Sequence, residues 1–211
     1  MMREVVFPTG ELFLEGILHF PRVEEGARYP AAVVCHPHPL YGGDMQNNVV
    51  VAVCDALAAR RIAALRFNFR GVGGSGGAHG GGRDERDDTV AALDFLASQP
   101  GVDPRRLCLA GYSFGAVVAL STPYPSPAAL AVISPPLTEN IGAGISLICP
   151  TLLVFGERDR IAPPSNLESA GIDLPPGSRI VTLPADHFWW GHEEEVGAEV
   201  VAFFQEHTRP S

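Results

Sequence analysis

A chain of 211 residues, 46% apolar and 18% charged, holds enough apolar side chain for one good-sized core; this excludes a disordered segment and predicts a single domain over residues 1–211. A formal net charge of −9 argues against nucleic acid or an anionic membrane as the main partner. The opening Met1-Met2-Arg3-Glu4-Val5-Val6-Phe7-Pro8 is no signal peptide, no apolar run approaches the ~18 residues of a spanning helix, and Cys35, Cys54, Cys108 and Cys149 stand apart as expected buried thiols of a reducing cytoplasm.

Val5 and Phe7, then Leu12, Leu14, Gly16 and Leu18, bracket Pro8-Thr9-Gly10 and predict a β-hairpin over residues 3–20. A polar connection covers 22–29. Residues 30–35, Pro-Ala-Ala-Val-Val-Cys, form a short continuous apolar run, as expected of a parallel strand covered on both faces. After the His36 to Gly43 loop, Asp44 is placed to cap a helix bearing Val49, Val50, Val53, Leu57 and Ala58. Strand 62–67 follows, then a Gly-rich loop over 68–82. A helix is expected over 84–99 with Val90, Leu93, Leu96 and Ala97 inward. Strands are expected at 105–110, 129–133, 151–155 and 179–183. Helices are expected at 163–170, closed by Gly171, and at 193–207, with Val196, Val200, Val201, Phe203 and Phe204 inward. This alternation calls for a mostly parallel central sheet with helices on both faces and an antiparallel hairpin at its start.

Gly111-Tyr112-Ser113-Phe114-Gly115 is a G-x-S-x-G pattern lying where a strand hands over to a helix, the context a nucleophile elbow requires. The glycines are needed because a Cβ at either would crowd the adjoining strand or helix. The helix start also favours developing negative charge. A serine nucleophile needs a base and an orienting acid at other strand ends. Gly156-Glu157-Arg158-Asp159 follows one strand and Pro184-Ala185-Asp186-His187 another, so the order is Ser113, Asp159, His187. Glu157 competes as the acid but lies nearer its strand; His192 competes as the base but borders Glu193-Glu194-Glu195. Asp186 suits a turn.

The His36-Pro37-His38-Pro39 loop lies where an oxyanion-hole donor is expected. Proline has no N–H, so the His38 amide is the candidate, paired with the amide of Phe114. Both imidazoles could equally fill space beside the core. Tyr41, Tyr112, Trp189 and Trp190 are candidate pocket walls, one of the tryptophans being a core candidate as well. Gly71-Val72-Gly73-Gly74-Ser75-Gly76 satisfies G-x-G-x-x-G but opens no helix, so a mobile loop at the rim, anchored by Asn68 and Arg70, is expected instead of a dinucleotide site. Asp84-Glu85-Arg86-Asp87-Asp88 suits a solvated acidic helix start.

Over nearly its whole length the sequence resembles the α/β-hydrolase superfamily, and within it a group of small bacterial hydrolases related to dienelactone-hydrolase-like enzymes. The resemblance rests on His36-Pro37-His38-Pro39-Leu40-Tyr41-Gly42-Gly43, Asn68-Phe69-Arg70-Gly71-Val72-Gly73-Gly74-Ser75, Gly111-Tyr112-Ser113-Phe114-Gly115, Gly156-Glu157-Arg158-Asp159 and Asp186-His187-Phe188. It implies Ser113 as nucleophile, Asp159 as acid, His187 as base and an oxyanion hole in the His36 loop, with no metal or organic cofactor. Dienelactone hydrolases use cysteine, so Ser113 departs from their pattern. Only a short loop separates the strands ending near 133 and starting near 151, which implies a site without a cap. The expected reaction is hydrolysis of a small or short-acyl carboxylic ester, with thioester or amide cleavage, or ligand binding without turnover, as the rivals.

Overall fold

A strand clad on both faces sends alternate residues into two separate cores, and residues 29–35 do this. Ala31, Val33 and Cys35 join one apolar cluster, Ala32 and Val34 the other, and all five are buried. The computed structural model describes residues 1–22, 26–125, 127–142 and 145–209. Parts of the expected 22–29 connection and of the loop near 143 lie outside the described residues.

The strands are β1 (Met2–Thr9), β2 (Leu12–His19), β3 (Tyr29–Cys35), β4 (Ala63–Phe67), β5 (Val102–Tyr112), β6 (Ala129–Ile133), β7 (Thr151–Gly156) and β8 (Arg179–Leu183). The helices are α1 (Asn48–Ala59), α2 (Glu85–Ala97), α3 (Phe114–Ser121), α4 (Glu139–Gly142), α5 (Asn166–Ala170) and α6 (Glu193–His207). One eight-stranded sheet runs β1-β2-β4-β3-β5-β6-β7-β8. The hairpin β1–β2 is antiparallel and joins antiparallel to β4, and every other pair is parallel. Side chains of α1 and α6 close one face; those of α2 and α3, with Ala170 of α5, close the other. The mostly parallel sheet, its leading hairpin and the flanking helices agree with the expected architecture. Among the described residues no helix is long and apolar enough to cross a membrane.

Several expected details shift. Asp44 does not cap α1: its Oδ1 takes the Gln46 amide at 2.7 Å in a turn, and the cap is Asn47, whose Oδ1 accepts from Val49 and Val50. The inner face of α2 is Glu85, Asp88, Thr89, Ala92, Leu93 and Leu96, leaving Val90 and Ala97 half-buried. β5 begins at Val102, ahead of the expected 105, through a polar, proline-containing start. α5 is shorter than expected because Pro163 and Pro164 precede it in turns. Gly171 ends α5 in the left-handed region as expected, at φ 60°.

Candidate active site

β5 stops at Tyr112, α3 starts at Phe114, and Ser113 between them takes φ 54°, ψ −116°. Such a conformation costs about 1–3 kcal/mol in a non-glycine residue and persists only where the surroundings enforce it. Here the enforcement is close packing. A Cβ on Gly111 would lie 2.2 Å from Gly115 O, and one on Gly115 would lie 2.5 Å from both Cys35 O and His36 O. The Ser113 amide donates to Ile133 O at 2.9 Å, fixing the turn against β6.

Ser113 Oγ lies 3.0 Å from Nε2 of His187, and His187 Nδ1 lies 2.8 Å from Asp159 Oδ2. With the proton on Nδ1 the ring donates to Asp159 and Nε2 is free to accept the serine proton, the tautomer the carboxylate favours. All three residues are buried. Asp159 Oδ1 accepts the amides of Ile161 (2.9 Å) and Ala162 (2.7 Å). Burial pushes the Asp159 carboxyl up, but hydrogen bonds from His187, the Ala162 amide and Ser134 outweigh it and hold the group below the usual carboxylate range.

The rivals lie elsewhere. His192 is the N-terminal cap residue of α6 and pairs with Glu195 at 3.0 Å; Glu157 is exposed; Asp186 Oδ1 accepts the Phe188 amide in a turn. Tyr112 and Trp189, expected as pocket walls, are instead buried. The Tyr112 hydroxyl donates to His187 O at 2.5 Å, and burial, with Asp159 and Asp186 nearby, keeps that phenol protonated. Trp189 sits in the core under α6, its indole donating to Ser134 Oγ. Tyr41 and Trp190 are on the surface, 88% and 71% exposed, where they can border the site but cannot enclose a substrate.

Among the described residues the amides of His38 and Phe114 donate to no group of the chain, and the two side-chain rings pack at 4.7 Å. Two free donors thus belong to residues in contact beside Ser113. His38 Nδ1 accepts the Leu40 amide, which orders the short Pro39–Tyr41 turn.

His36 is fully buried: Nδ1–H donates to Pro37 O at 2.7 Å and Nε2 accepts the Phe69 amide at 3.1 Å. The imidazole therefore ties the His38 loop to the Gly-rich loop, and burial pushes its pKa down from 6.5 to about 4. Between those values the unfolded chain binds a proton that the folded one refuses. The contribution is intact above 6.5 and drains as pH falls toward 4, by about 3 kcal/mol. Urea midpoints at pH 7.5 and 4.5 check this: His36→Gln should narrow the gap between them, whatever its stability at the higher pH.

The acidic start of α2 is solvated only in part: Asp87 is exposed and Asp84 half-buried, as expected, but two of its carboxylates are not. Glu85 and Asp88 are fully buried. Asp88 accepts the Arg70 amide and guanidinium, and Glu85 accepts the amides of Gly80 and Gly82 and lies 2.8 Å from His79 Nδ1. Burial pushes the Glu85 carboxyl up, and the Gly80 and Gly82 amides with His79 reverse it, so it is held low. Asn68 donates to Glu15 and accepts from Met45. The Gly-rich loop is thus fastened at both Asn68 and Arg70, and it lays the His79 ring 5.1 Å from His38. No pattern in the sequence pointed to His79 or Ser134, and the acidic run that held Glu85 gave no sign of its buried role, because the partners lie in other loops or strands. Among the described residues no group of His, Cys, Asp or Glu is placed to hold a metal ion, and the four cysteines are buried and free.

A serine on a strained strand-to-helix turn, a histidine from the loop after β8 and an aspartate from the loop after β7, all at the carboxyl edge of a mostly parallel sheet, define an α/β-hydrolase of the lidless serine-hydrolase kind. The family model described as X-Pro dipeptidyl-peptidase (S15 family) matches residues 18–139, and the chain belongs to that family. A solved structure from Coxiella burnetii, described as an alpha-beta serine hydrolase homologue, is 29% identical with a TM-score of 0.82, over 95% of this chain and 96% of that one. One from Xanthomonas campestris, described as an a/b serine hydrolase without lid, is 26% identical with a TM-score of 0.86, over 100% and 96%. An uncharacterized protein of Rickettsia prowazekii (strain Madrid E) is 37% identical over 138 residues, 63% of this chain; the match spans 58% of that relative's length.

Proposed function

We propose that this chain is a serine hydrolase that cleaves small or short-acyl carboxylic esters through an acyl-enzyme on Ser113. The observation that carries the reading is the unbroken path from Ser113 Oγ through His187 to Asp159, at 3.0 and 2.8 Å, beside the unpaired amides of His38 and Phe114. His187 Nε2 takes the hydroxyl proton as Oγ bonds to the ester carbonyl carbon, and the two amides receive the oxyanion. Asp159, held ionised, stabilises the imidazolium. As the tetrahedral species collapses, the C–O bond to the alcohol breaks and His187 returns the proton to that oxygen. Water then repeats the sequence on the acyl-enzyme and frees the acid. These steps use side chains and amides of the chain itself.

Leu40, Tyr41, Ile161, Phe188 and Trp190 are all exposed on the three loops that carry His38, Asp159 and His187. Such a rim favours an apolar alcohol part over a strongly charged one. The acidic surface supports a small-molecule substrate over nucleic acid or membrane, and the free thiols support a reducing, cytoplasmic setting. Family membership favours a second reading, cleavage of a peptide bond, because the same triad serves both leaving groups.

Hydrolysis of p-nitrophenyl esters of increasing acyl length, with an X-Pro p-nitroanilide in parallel and Ser113→Ala as the blank, separates them. Rates that fall with acyl length and are absent from the blank support the esterase. Anilide cleavage without ester cleavage transfers the proposal to the peptidase. A blank as active as the parent removes Ser113 from the mechanism.

A further inference from the structure

The end of β6 touches the supports of all three reacting groups. Ile133 O accepts the Ser113 amide at 2.9 Å; the next amide, that of Ser134, donates at 2.8 Å to Val154 O on β7, the strand that leads to Asp159. Ser134 Oγ accepts the indole N–H of Trp189 at 3.1 Å, two residues beyond His187. Both partners are fully buried, and both have left-handed backbones, φ 44° at Ser134 and φ 61° at Trp189. Side-chain-bearing residues adopt such angles only when their surroundings over-determine them. A glycine at position 134 would relieve the strain but would leave the buried Trp189 indole without its acceptor, so what the serine brings is its hydroxyl.

We infer that Ser134 is a positioning residue for this site, its hydroxyl joining the loop that carries the base to the loop that carries the acid. An oxygen that accepts from Trp189 still has its own proton to place, and a buried hydroxyl proton needs an acceptor. That proton is assigned to Asp159, in the loop after the strand whose Val154 carbonyl holds the Ser134 amide; the hydroxyl, with His187 and the Ala162 amide, opposes burial in holding the carboxyl low. Oδ1 takes the Ile161 and Ala162 amides and Oδ2 the imidazole, and a hydroxyl proton directed at the same carboxylate adds to the donors that hold it ionised. The indole, fixed from the other side, stops the 187–189 turn from rotating His187 away from Ser113. Ser134 touches no substrate and acts through Asp159 and Trp189.

This inference rests on the triad reading above, and the test keeps the two apart. Ser134→Gly and Ser134→Ala are compared with the parent for p-nitrophenyl ester turnover from pH 5 to 9, for the rate of fluorophosphonate labelling at Ser113, and for melting temperature. Ser134→Gly should lose about 10- to 100-fold in kcat with KM changed less than about twofold, a loss larger than any fall in melting temperature caused by the unpaired indole N–H accounts for. The acidic limb of kcat/KM should move up in both variants, because a carboxylate with one donor fewer holds the imidazolium proton more tightly. Labelling should slow in step with kcat. Turnover and labelling within twofold of the parent would overturn the inference, as would losses that follow melting temperature with the pH limb unmoved. A parent that labels but cleaves no ester defeats the ester reading and leaves labelling rate to judge Ser134; a parent inert to both defeats both.

Discussion

His187→Ala is expected to lower kcat/KM on a p-nitrophenyl ester by about 10⁴- to 10⁶-fold while leaving the protein folded. The size follows from what remains. On the proposed mechanism, without the imidazole Ser113 Oγ keeps its proton at neutral pH, and the amides of His38 and Phe114 are left to stabilise a charge that seldom forms. Folding is spared because the ring is not a core element. Asp159 keeps the Ile161 and Ala162 amides after the exchange, and the Tyr112 hydroxyl bonds the His187 carbonyl, which alanine retains. His192→Ala, at an α6 cap paired with Glu195, should stay within about twofold of the parent. Steady-state kinetics of both variants, with circular dichroism for folding, checks the pair. Equal losses would put the base at another residue.

The asymmetry between these histidines was legible in advance because each lies next to different chain: His187 follows a strand, His192 abuts three glutamates. The strand-helix alternation was legible for a similar reason, since a strand buried on both faces is a short apolar run and an amphipathic helix has its own period. What escaped was non-local or a choice between local equals. Asp44 and Asn47 are both good cap residues, and the decision fell to Asn68 Oδ1, which holds the Met45 amide at 2.8 Å and puts the turn before Asn47. Trp189 and Trp190 are chemically alike, and a left-handed backbone at Trp189, invisible in composition, sends that ring into the core. Glu85 and Asp88 look like a solvated helix start because their partners, Gly80, Gly82 and Arg70, lie in the preceding loop, where sequence registers only flexibility. Ser134 meets Trp189 across 55 residues. Motifs carried by one turn of chain could be read, whereas supports assembled from several strands could not.

Gly115→Ala should be among the most damaging single-methyl changes in the chain, for a reason that also explains the site. The new Cβ would stand 2.5 Å from Cys35 O and from His36 O, both main-chain atoms at the end of β3. Neither can rotate aside: β3 is paired on both edges, and His36 is pinned by its imidazole. Relief requires α3 to move off the sheet, at about 3 kcal/mol or more, roughly 6–12 °C in melting temperature for a chain of this size. Gly171→Ala makes the contrast. That glycine has φ 60° but open space around its Cβ, so alanine there meets strain without a clash and should cost about 1 kcal/mol. Thermal melts of the two variants side by side test the distinction; similar losses would mean that backbone conformation, not contact, sets the requirement at 115. The contact has a chemical consequence as well. By bringing the start of α3 within van der Waals distance of the His36 carbonyl, Gly115 sets Phe114 against His38, and on the proposed mechanism this lets their two amides serve one oxygen. A variant rescued for folding by compensating mutations should therefore still lose turnover, because the same ångström that relieves the clash parts the two donors.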